Sequence, residues 1–161
     1  MQGVDPSIRP EVWKFLLGLY PWSSSDDERK AIRRSKRDEY VRLKAKWWDD
    51  VDLQQDPWFL DQKSRIEKDV HRTDRTISPF MEEDLPHPDP DSQYSGTNAH
   101  LEMLKDMLMT YNMYDNKEVG YVQGMSDMLS VVYAIMQDDS DAFWCFCGFM
   151  ERMVLSSFSN I

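Results

Sequence analysis

Long apolar runs are absent from the 161-residue sequence, in which no stretch of eighteen consecutive apolar residues occurs. A transmembrane helix needs about 20 predominantly apolar residues, so no membrane span is predicted. The N-terminal residues MQGVDPSIRP also lack the charged start and apolar middle of a secretory signal peptide. From these features we expect a cytoplasmic protein without a transmembrane segment.

Cysteine is scarce, since only Cys145 and Cys147 are present. Two thiols one residue apart cannot complete a four-ligand zinc site without histidines, and the three histidines are far away in the sequence. We therefore expect free, buried thiols and no metal site. The histidines show no HExxH spacing, and neither a GxSxG element nor a phosphate-binding Walker loop occurs. The usual signatures of zinc proteases, serine hydrolases and P-loop proteins are thus missing.

Basic residues are fewer than acidic residues: 19 basic and 29 acidic side chains give a formal net charge of -10. Non-specific binding to nucleic acid requires a basic surface that neutralises phosphates. The charge therefore argues against a nucleic-acid partner and is compatible with a basic protein partner. The exception is the region from Arg29 to Lys46, which holds nine basic residues. It fits either an electrostatic patch or a solvated helix face that also carries acids, and the second is favoured.

Apolar residues make up 41% of the chain, enough for one domain with a buried core. Their spacing is that of amphipathic helices, and little of the sequence alternates as a strand would. The sequence therefore predicts an all-α fold. Ser25, Asp56 and Asn98 are suited to cap the starts of three helices. The predicted helices occupy residues 9–18, 25–50, 56–70, 98–114, 121–137 and 140–153.

The segment 77–98 is predicted to be an exposed loop. It is acidic and contains four of the eight prolines. At this length it exceeds the ~12 to 15 residues that structureless connections usually reach. We therefore expect the segment to be either functional or disordered.

The stretch SDAFWCFCGFMERM carries apolar residues on nearly every side of its predicted helix. Such a helix must be covered by other elements, because large exposed apolar patches promote association. We expect this sequence to lack the elements that would cover the helix, and we therefore predict self-association through Phe143, Trp144, Phe146 and Phe149.

The stretch RIEKDVHRTDR, residues 65–75, is densely charged for a helix that contains only two aliphatic residues. At 100° per residue, Arg65, Asp69 and Arg72 share one side of the helix while Ile66 points toward the core. The carboxylate of Asp69 could then orient both guanidinium groups. The alternative is a surface ion-pair cluster worth under about 1 kcal/mol, and geometry alone favours this alternative.

The stretch GYVQGMSD places Gly120 and Gly124 on either side of Tyr121 and Gln123. Glycines at these positions let the backbone turn and approach another surface closely. Gln123 would then be an amide presented at the start of a helix. The alternative, a helix cap followed by a tight turn, is equally compatible with the residues.

Three stretches in order, RPEVWKFLLG, RIEKDVHRTDR and GYVQGMSDML, resemble the signature motifs of the TBC domain. This domain is found in GTPase-activating proteins for Rab GTPases. SGTNAHLEMLKDMLMTYNMY and DAFWCFCGFMERM further resemble the branch of fungal vacuolar Rab GTPase-activating proteins and their animal late-endosomal relatives. The resemblance covers residues 1–153, and residues 154–161 are expected to form a divergent tail.

The resemblance implies roles for individual residues. The family motif IxxDxxR matches Ile66, Asp69 and Arg72, which makes Arg72 an arginine finger. The motif YxQ matches Tyr121 and Gln123, which makes Gln123 a glutamine finger that orients the attacking water. The supporting residues are expected to be Asp69, Tyr121, Ile66, Arg65, Thr73, Gly120 and Gly124.

The resemblance also implies a partner, which is a Rab-family small GTPase in its GTP-bound form, with a late-endosomal or vacuolar Rab as the candidate. GTP and Mg²⁺ would belong to that partner, so no cofactor is expected in this chain. The protein would then act in vesicle-mediated transport, in the cytoplasm and at the periphery of endosomal or vacuolar membranes.

The resemblance implies that a complete TBC domain has two helical subdomains. This sequence resembles the first of them, which carries both fingers. The second subdomain is expected to be missing from the sequence. Two functions therefore stay open: a GTPase activator, and a catalytically weak Rab-binding or scaffold module. A third alternative is a non-functional fragment.

Overall fold

A computed structural model of the protein describes residues 3–90, 92–114 and 119–158, with side chains up to residue 153. Within these residues seven helices account for nearly all of the regular secondary structure, which confirms the predicted all-α fold. Residues 154–158 of the predicted tail continue the last helix, and the rest of that tail lies outside the described residues. The elements are α1 (Arg9–Leu16), α2 (Asp26–Trp48), α3 (Val51–Gln54), α4 (Pro57–His71), β1 (Leu85–Pro86), β2 (Gly96–Thr97), α5 (Ala99–Tyr114), α6 (Met125–Met136) and α7 (Asp139–Phe158).

Three helices begin where the sequence predicts, because local side chains satisfy their first backbone N–H groups. At α2, the Ser25 hydroxyl accepts a hydrogen bond from the Glu28 N–H at 3.3 Å. The Glu28 carboxylate in turn accepts one from the Ser25 N–H at 2.7 Å. At α4, Asp56 Oδ1 accepts from the N–H groups of Trp58 and Phe59. At α5, Asn98 Oδ1 accepts a hydrogen bond from the Leu101 N–H at 3.1 Å. Each such cap stabilises a helix by about 0.5–2 kcal/mol.

Helix α5 is central to the described part of the chain and packs against α2, α4, α6 and α7. The apolar residues Leu101, Leu104, Leu108 and Tyr111 are buried on it. Residues outside this apolar side of α5 are buried as well, because helices surround α5 on several sides. Its other buried residues are Asp106, Met107, Met109, Thr110 and Asn112.

The apolar part of α7 is covered within this chain, by contacts with α2, α5 and α6. Phe143, Trp144 and Phe146 are all buried. The ring of Phe146, for example, lies 5.1 Å from the ring of Tyr111 on α5. The expectation that these three residues would be exposed and drive self-association is therefore wrong. Phe149 is half-buried.

The segment 77–98 contains two short strands and a buried aromatic side chain. Strands β1 and β2 pair antiparallel within it. The Phe80 side chain is buried in the core. The buried Asn98 amide donates hydrogen bonds to the carbonyl oxygens of Phe80 and Glu82. The segment is thus an exposed loop that is anchored at both ends; residue 91 lies outside the described residues.

Among the described residues, six of the nine basic residues of α2 make ion pairs, with acids of the same helix, of other helices and of the turn before α7. Lys30 Nζ lies 2.6 Å from Asp26 Oδ2. Arg33 Nη2 lies 3.0 Å from Asp141 Oδ2, next to the start of α7. These contacts support the interpretation of α2 as an ion-paired, solvated face.

Cys145 is a buried thiol, and Cys147 is half-buried. Burial raises the pKa of the Cys145 thiol to about 12, so this thiol is protonated and unreactive at neutral pH. In the part of the chain that the structure describes, no group of histidine, cysteine and acidic side chains is arranged to hold a metal ion. Over the same residues, no helix combines the length and apolar character needed to cross a bilayer.

The burial of α7 predicts that Phe146→Ala lowers the free energy of unfolding by about 3–5 kcal/mol, because the side chain is 0% exposed and its removal leaves a cavity. Phe149→Ala, on the same helix but half-buried, is the matched control and should lose much less. Urea denaturation of both variants measures the difference. Equal losses would contradict the packing described for α7.

Candidate functional site

The charged stretch 65–75 forms the end of α4 and the turn after it. Ile66 is fully buried on the core side of the helix. Arg72 caps the C-terminal end of α4, and its side chain is 70% exposed. Thr73 follows as a buried residue whose hydroxyl has no hydrogen-bond partner among the described residues. The buried face of α4 therefore fixes the backbone of Arg72, while the guanidinium group of Arg72 lies in solvent.

Asp69 makes its shortest contact with the 120–124 loop. Its Oδ2 atom accepts a hydrogen bond from the Tyr121 hydroxyl at 2.8 Å and a long one from the Gly124 N–H at 3.5 Å. The Tyr121 hydroxyl in turn accepts from the Ser126 N–H at 3.3 Å, in the first turn of α6. A chain of hydrogen bonds thus runs from α6 through Tyr121 to α4.

The interaction of Asp69 with Arg72 is weaker than the sequence predicts, because Arg72 Nη1 lies 3.8 Å from Asp69 Oδ1. Charge-assisted hydrogen bonds are about 2.7–2.9 Å long. The expectation that Arg65 shares the same carboxylate is wrong. Arg65 Nε instead lies 2.8 Å from Asp61 Oδ2, one turn earlier in α4. This pair forms because positions four residues apart are neighbours on a helix surface.

The two glycines of the 120–124 loop adopt left-handed backbone conformations, with φ of 76° at Gly120 and 95° at Gly124. Residues other than glycine rarely adopt such angles. Between them, the Tyr121 side chain is buried and Gln123 is exposed. The loop thus inserts Tyr121 into the core and presents the amide of Gln123 at the start of α6.

Gln62 is a residue of this site that the sequence analysis missed. Its side chain, on α4, is 4% exposed. Gln62 Oε1 accepts hydrogen bonds from the Tyr121 N–H and from Asn112 Nδ2 of α5. The available signal was its position four residues before Ile66, which places it on the same buried helix face.

Known proteins match this chain over nearly its whole length. The profile of the Rab-GTPase-TBC domain matches residues 6–160. The chain belongs to this family. It is 53% identical over 152 residues to GTPase-activating protein gyp7 of Schizosaccharomyces pombe. It is 45% identical over 153 residues to TBC1 domain family member 17 of Mus musculus.

These two alignments cover 94% and 92% of this chain but only 20% and 21% of the two relatives. The TBC chain therefore spans about a fifth of the length of these curated relatives. The predicted family is confirmed. Similarity to both a fungal and an animal protein supports the predicted branch.

Within the TBC domain, the structure brings three of the predicted site residues into direct contact. Asp69, Tyr121 and Gly124 are in direct contact, and Arg72 and Gln123 lie close to them in sequence. Arg65 lies outside this contact network, since its ion pair is with Asp61.

In the contact between Tyr121 and Asp69, a neutral phenol donates a hydrogen bond to a carboxylate. Burial raises the pKa of Tyr121, and the hydrogen bond to Asp69 raises it further. Tyr121 is therefore a hydrogen-bond donor at every physiological pH. The exposed groups that remain at the site are a guanidinium cation and a neutral amide, which can stabilise an anion and orient a polar ligand.

The TBC structure predicts that Tyr121→Phe lowers the free energy of unfolding by about 1–3 kcal/mol, because the mutation leaves a largely buried carboxylate and the Ser126 N–H without their partner. Tyr94→Phe is the control, since no hydrogen bond of its hydroxyl occurs among the described residues. Thermal and urea unfolding measure both. A loss no larger than that of the control would show that the Asp69–Tyr121 hydrogen bond contributes nothing.

Proposed function

We propose that this TBC domain stimulates GTP hydrolysis by a Rab-family small GTPase, with Arg72 and Gln123 acting in trans on the bound GTP. The observation that carries the proposal is the 2.8 Å hydrogen bond between Asp69 and Tyr121. Asp69 lies three residues before Arg72, and Tyr121 two residues before Gln123. One contact therefore holds together the two segments that carry an exposed cation and an exposed amide.

Arg72 supplies the positive charge in this proposal. GTP hydrolysis is slow because negative charge must be stabilised on the oxygens of the transferring phosphoryl group. An arginine inserted by an activating protein increases the rate by ~10³ to 10⁵. The exposure of Arg72 leaves its side chain accessible to a partner, and the 3.8 Å separation from Asp69 allows it to extend away.

Gln123 orients the attacking water in this proposal. The amide offers both a donor and an acceptor, which a water molecule needs to be held in line with the phosphorus atom. Gln123 is exposed directly before Gly124, where the 120–124 loop turns into α6. GTP and Mg²⁺ belong to the Rab partner, so this chain contributes side chains only.

The relatives support a Rab as the partner, since the family name specifies Rab GTPases and the S. pombe relative is named as a GTPase-activating protein. We propose a late-endosomal or vacuolar Rab as the substrate. The activator would then act at the membrane that carries this Rab, in vesicle-mediated transport.

For the arginine, Arg72→Ala should lower kcat/KM for Rab GTP hydrolysis by about 10² or more, because the transition-state charge loses its counterion. Arg65→Ala is the matched control: it removes an exposed arginine of α4, seven residues before Arg72 and paired with Asp61, and should change kcat/KM by less than about twofold.

The measurement is single-turnover hydrolysis over a panel of Rab GTPases. It uses this chain and an extended version that carries a second helical subdomain. Full stimulation by the Arg72→Ala protein would contradict its assignment. Binding of a Rab without stimulation, by both wild-type versions, would favour a scaffold module over an activator.

For the glutamine, Gln123→Ala should also be severe, with a loss of about 10² in the same assay. Because both side chains act on one transition state, the double variant with Arg72→Ala should cost much less than the product of the two single losses. A loss equal to that product would show that the two side chains do not share a site.

A further inference from the structure

We propose that Gln62 is a positioning residue whose side-chain carbonyl fixes the backbone of the 120–124 loop and thereby aims Gln123. The inference rests on the proposed function of Gln123 and concerns a residue outside both family motifs. Gln62 touches neither of the two exposed groups, so its effect on hydrolysis would be transmitted through the loop.

The hydrogen bonds of Gln62 define the orientation of its amide. The carbonyl oxygen accepts from the Tyr121 N–H and, at 3.4 Å, from Asn112 Nδ2. A carbonyl oxygen has two lone pairs, and both are used here. The amide nitrogen donates to Asp61 Oδ2 at 3.0 Å. A reversed amide would direct its own N–H groups at the N–H of Tyr121 and lose the bond.

Gly120 allows Gln62 to approach the backbone closely. A Cβ atom at this position would lie 2.7 Å from Gln62 Oε1, which is closer than side chains tolerate. The φ of 76° at Gly120 independently disfavours a side chain there. The glycine and the glutamine are therefore matched: Gly120 leaves the space that the carbonyl of Gln62 occupies.

Two residues of α4 restrain the loop on either side of Gln123. Gln62 binds the backbone N–H of Tyr121, while Asp69 binds the Tyr121 hydroxyl and the Gly124 N–H. Gln62 and Asp69 are seven residues, or two turns, apart and so lie on one helix face. The exposed Gln123 is thus held between two restrained residues.

A restraint of this kind affects rate more than affinity. Burying a glutamine amide is costly unless its hydrogen bonds are made, and an apolar side chain could fill the same space without that cost. What the amide adds is a fixed position for the Tyr121 backbone. A displacement of about 1 Å at a reacting group can lower a rate by about 10².

The test uses Gln62→Met, which keeps the length of the side chain and removes the carbonyl acceptor. We expect kcat for Rab GTP hydrolysis to fall about 10-fold with KM changed by less than about twofold, because Gln123 is less well aimed and the docking surface is retained. In a Gln123→Ala background, the same substitution should cause no further loss.

Gln54→Met is the matched control. Gln54 also donates a side-chain hydrogen bond that holds the backbone, to the carbonyl oxygen of Trp48 at 2.6 Å, but it lies away from the 120–124 loop. It should lower stability and leave kcat unchanged. Amide hydrogen exchange of the unbound chain gives a readout without Rab: the Tyr121 N–H should exchange at least about 10-fold faster in Gln62→Met than in the wild type.

The outcomes separate this inference from the proposed function. Normal activity of Gln123→Ala would overturn the proposed role of Gln123. A severe loss in Gln123→Ala, combined with normal kcat in Gln62→Met, would overturn the positioning role alone. A 10-fold loss that persists in the Gln123→Ala background, or unchanged exchange at Tyr121, would also overturn it, because Gln62 would then act by another route.

Discussion

The hydrogen bond between the Tyr121 hydroxyl and the Asp69 carboxylate is the contact on which the site depends. It joins residues 52 positions apart in the sequence, at the end of α4 and in the loop before α6. The carboxylate is only 15% exposed, so competition from water is limited and the bond is stronger than a surface pair would be. Since Arg72 and Gln123 sit on these two segments, the bond fixes their relative placement.

Much of the fold could be predicted from local patterns, because helix starts and buried faces are set by neighbouring residues. The side chains of Ser25 and Asp56 satisfy backbone groups within three residues of themselves, so their capping roles are readable in the sequence. The inward direction of Ile66 and the outward direction of Arg72 also follow from helix geometry. These predictions required no knowledge of the tertiary structure.

The choice of partners could not be predicted, because it depends on which segments the fold brings together. Helix geometry predicted two arginines as partners of Asp69, but in the fold a tyrosine lies closer to this carboxylate than either arginine. Gln62 was overlooked because glutamine is usually exposed, and its buried contacts come from two distant segments. Likewise, the sequence showed that α7 needed cover, while only the structure showed that this chain provides it.

The central claim is that Asp69 and Tyr121 act as one unit to place the two exposed groups. The most direct test is a double-mutant cycle of Asp69→Ala and Tyr121→Phe in which kcat for Rab GTP hydrolysis is measured for each variant. If both residues act only through their shared hydrogen bond, the double variant should lose no more activity than the less active of the two single variants. Losses that multiply would contradict the claim, because each residue would then contribute independently of the other.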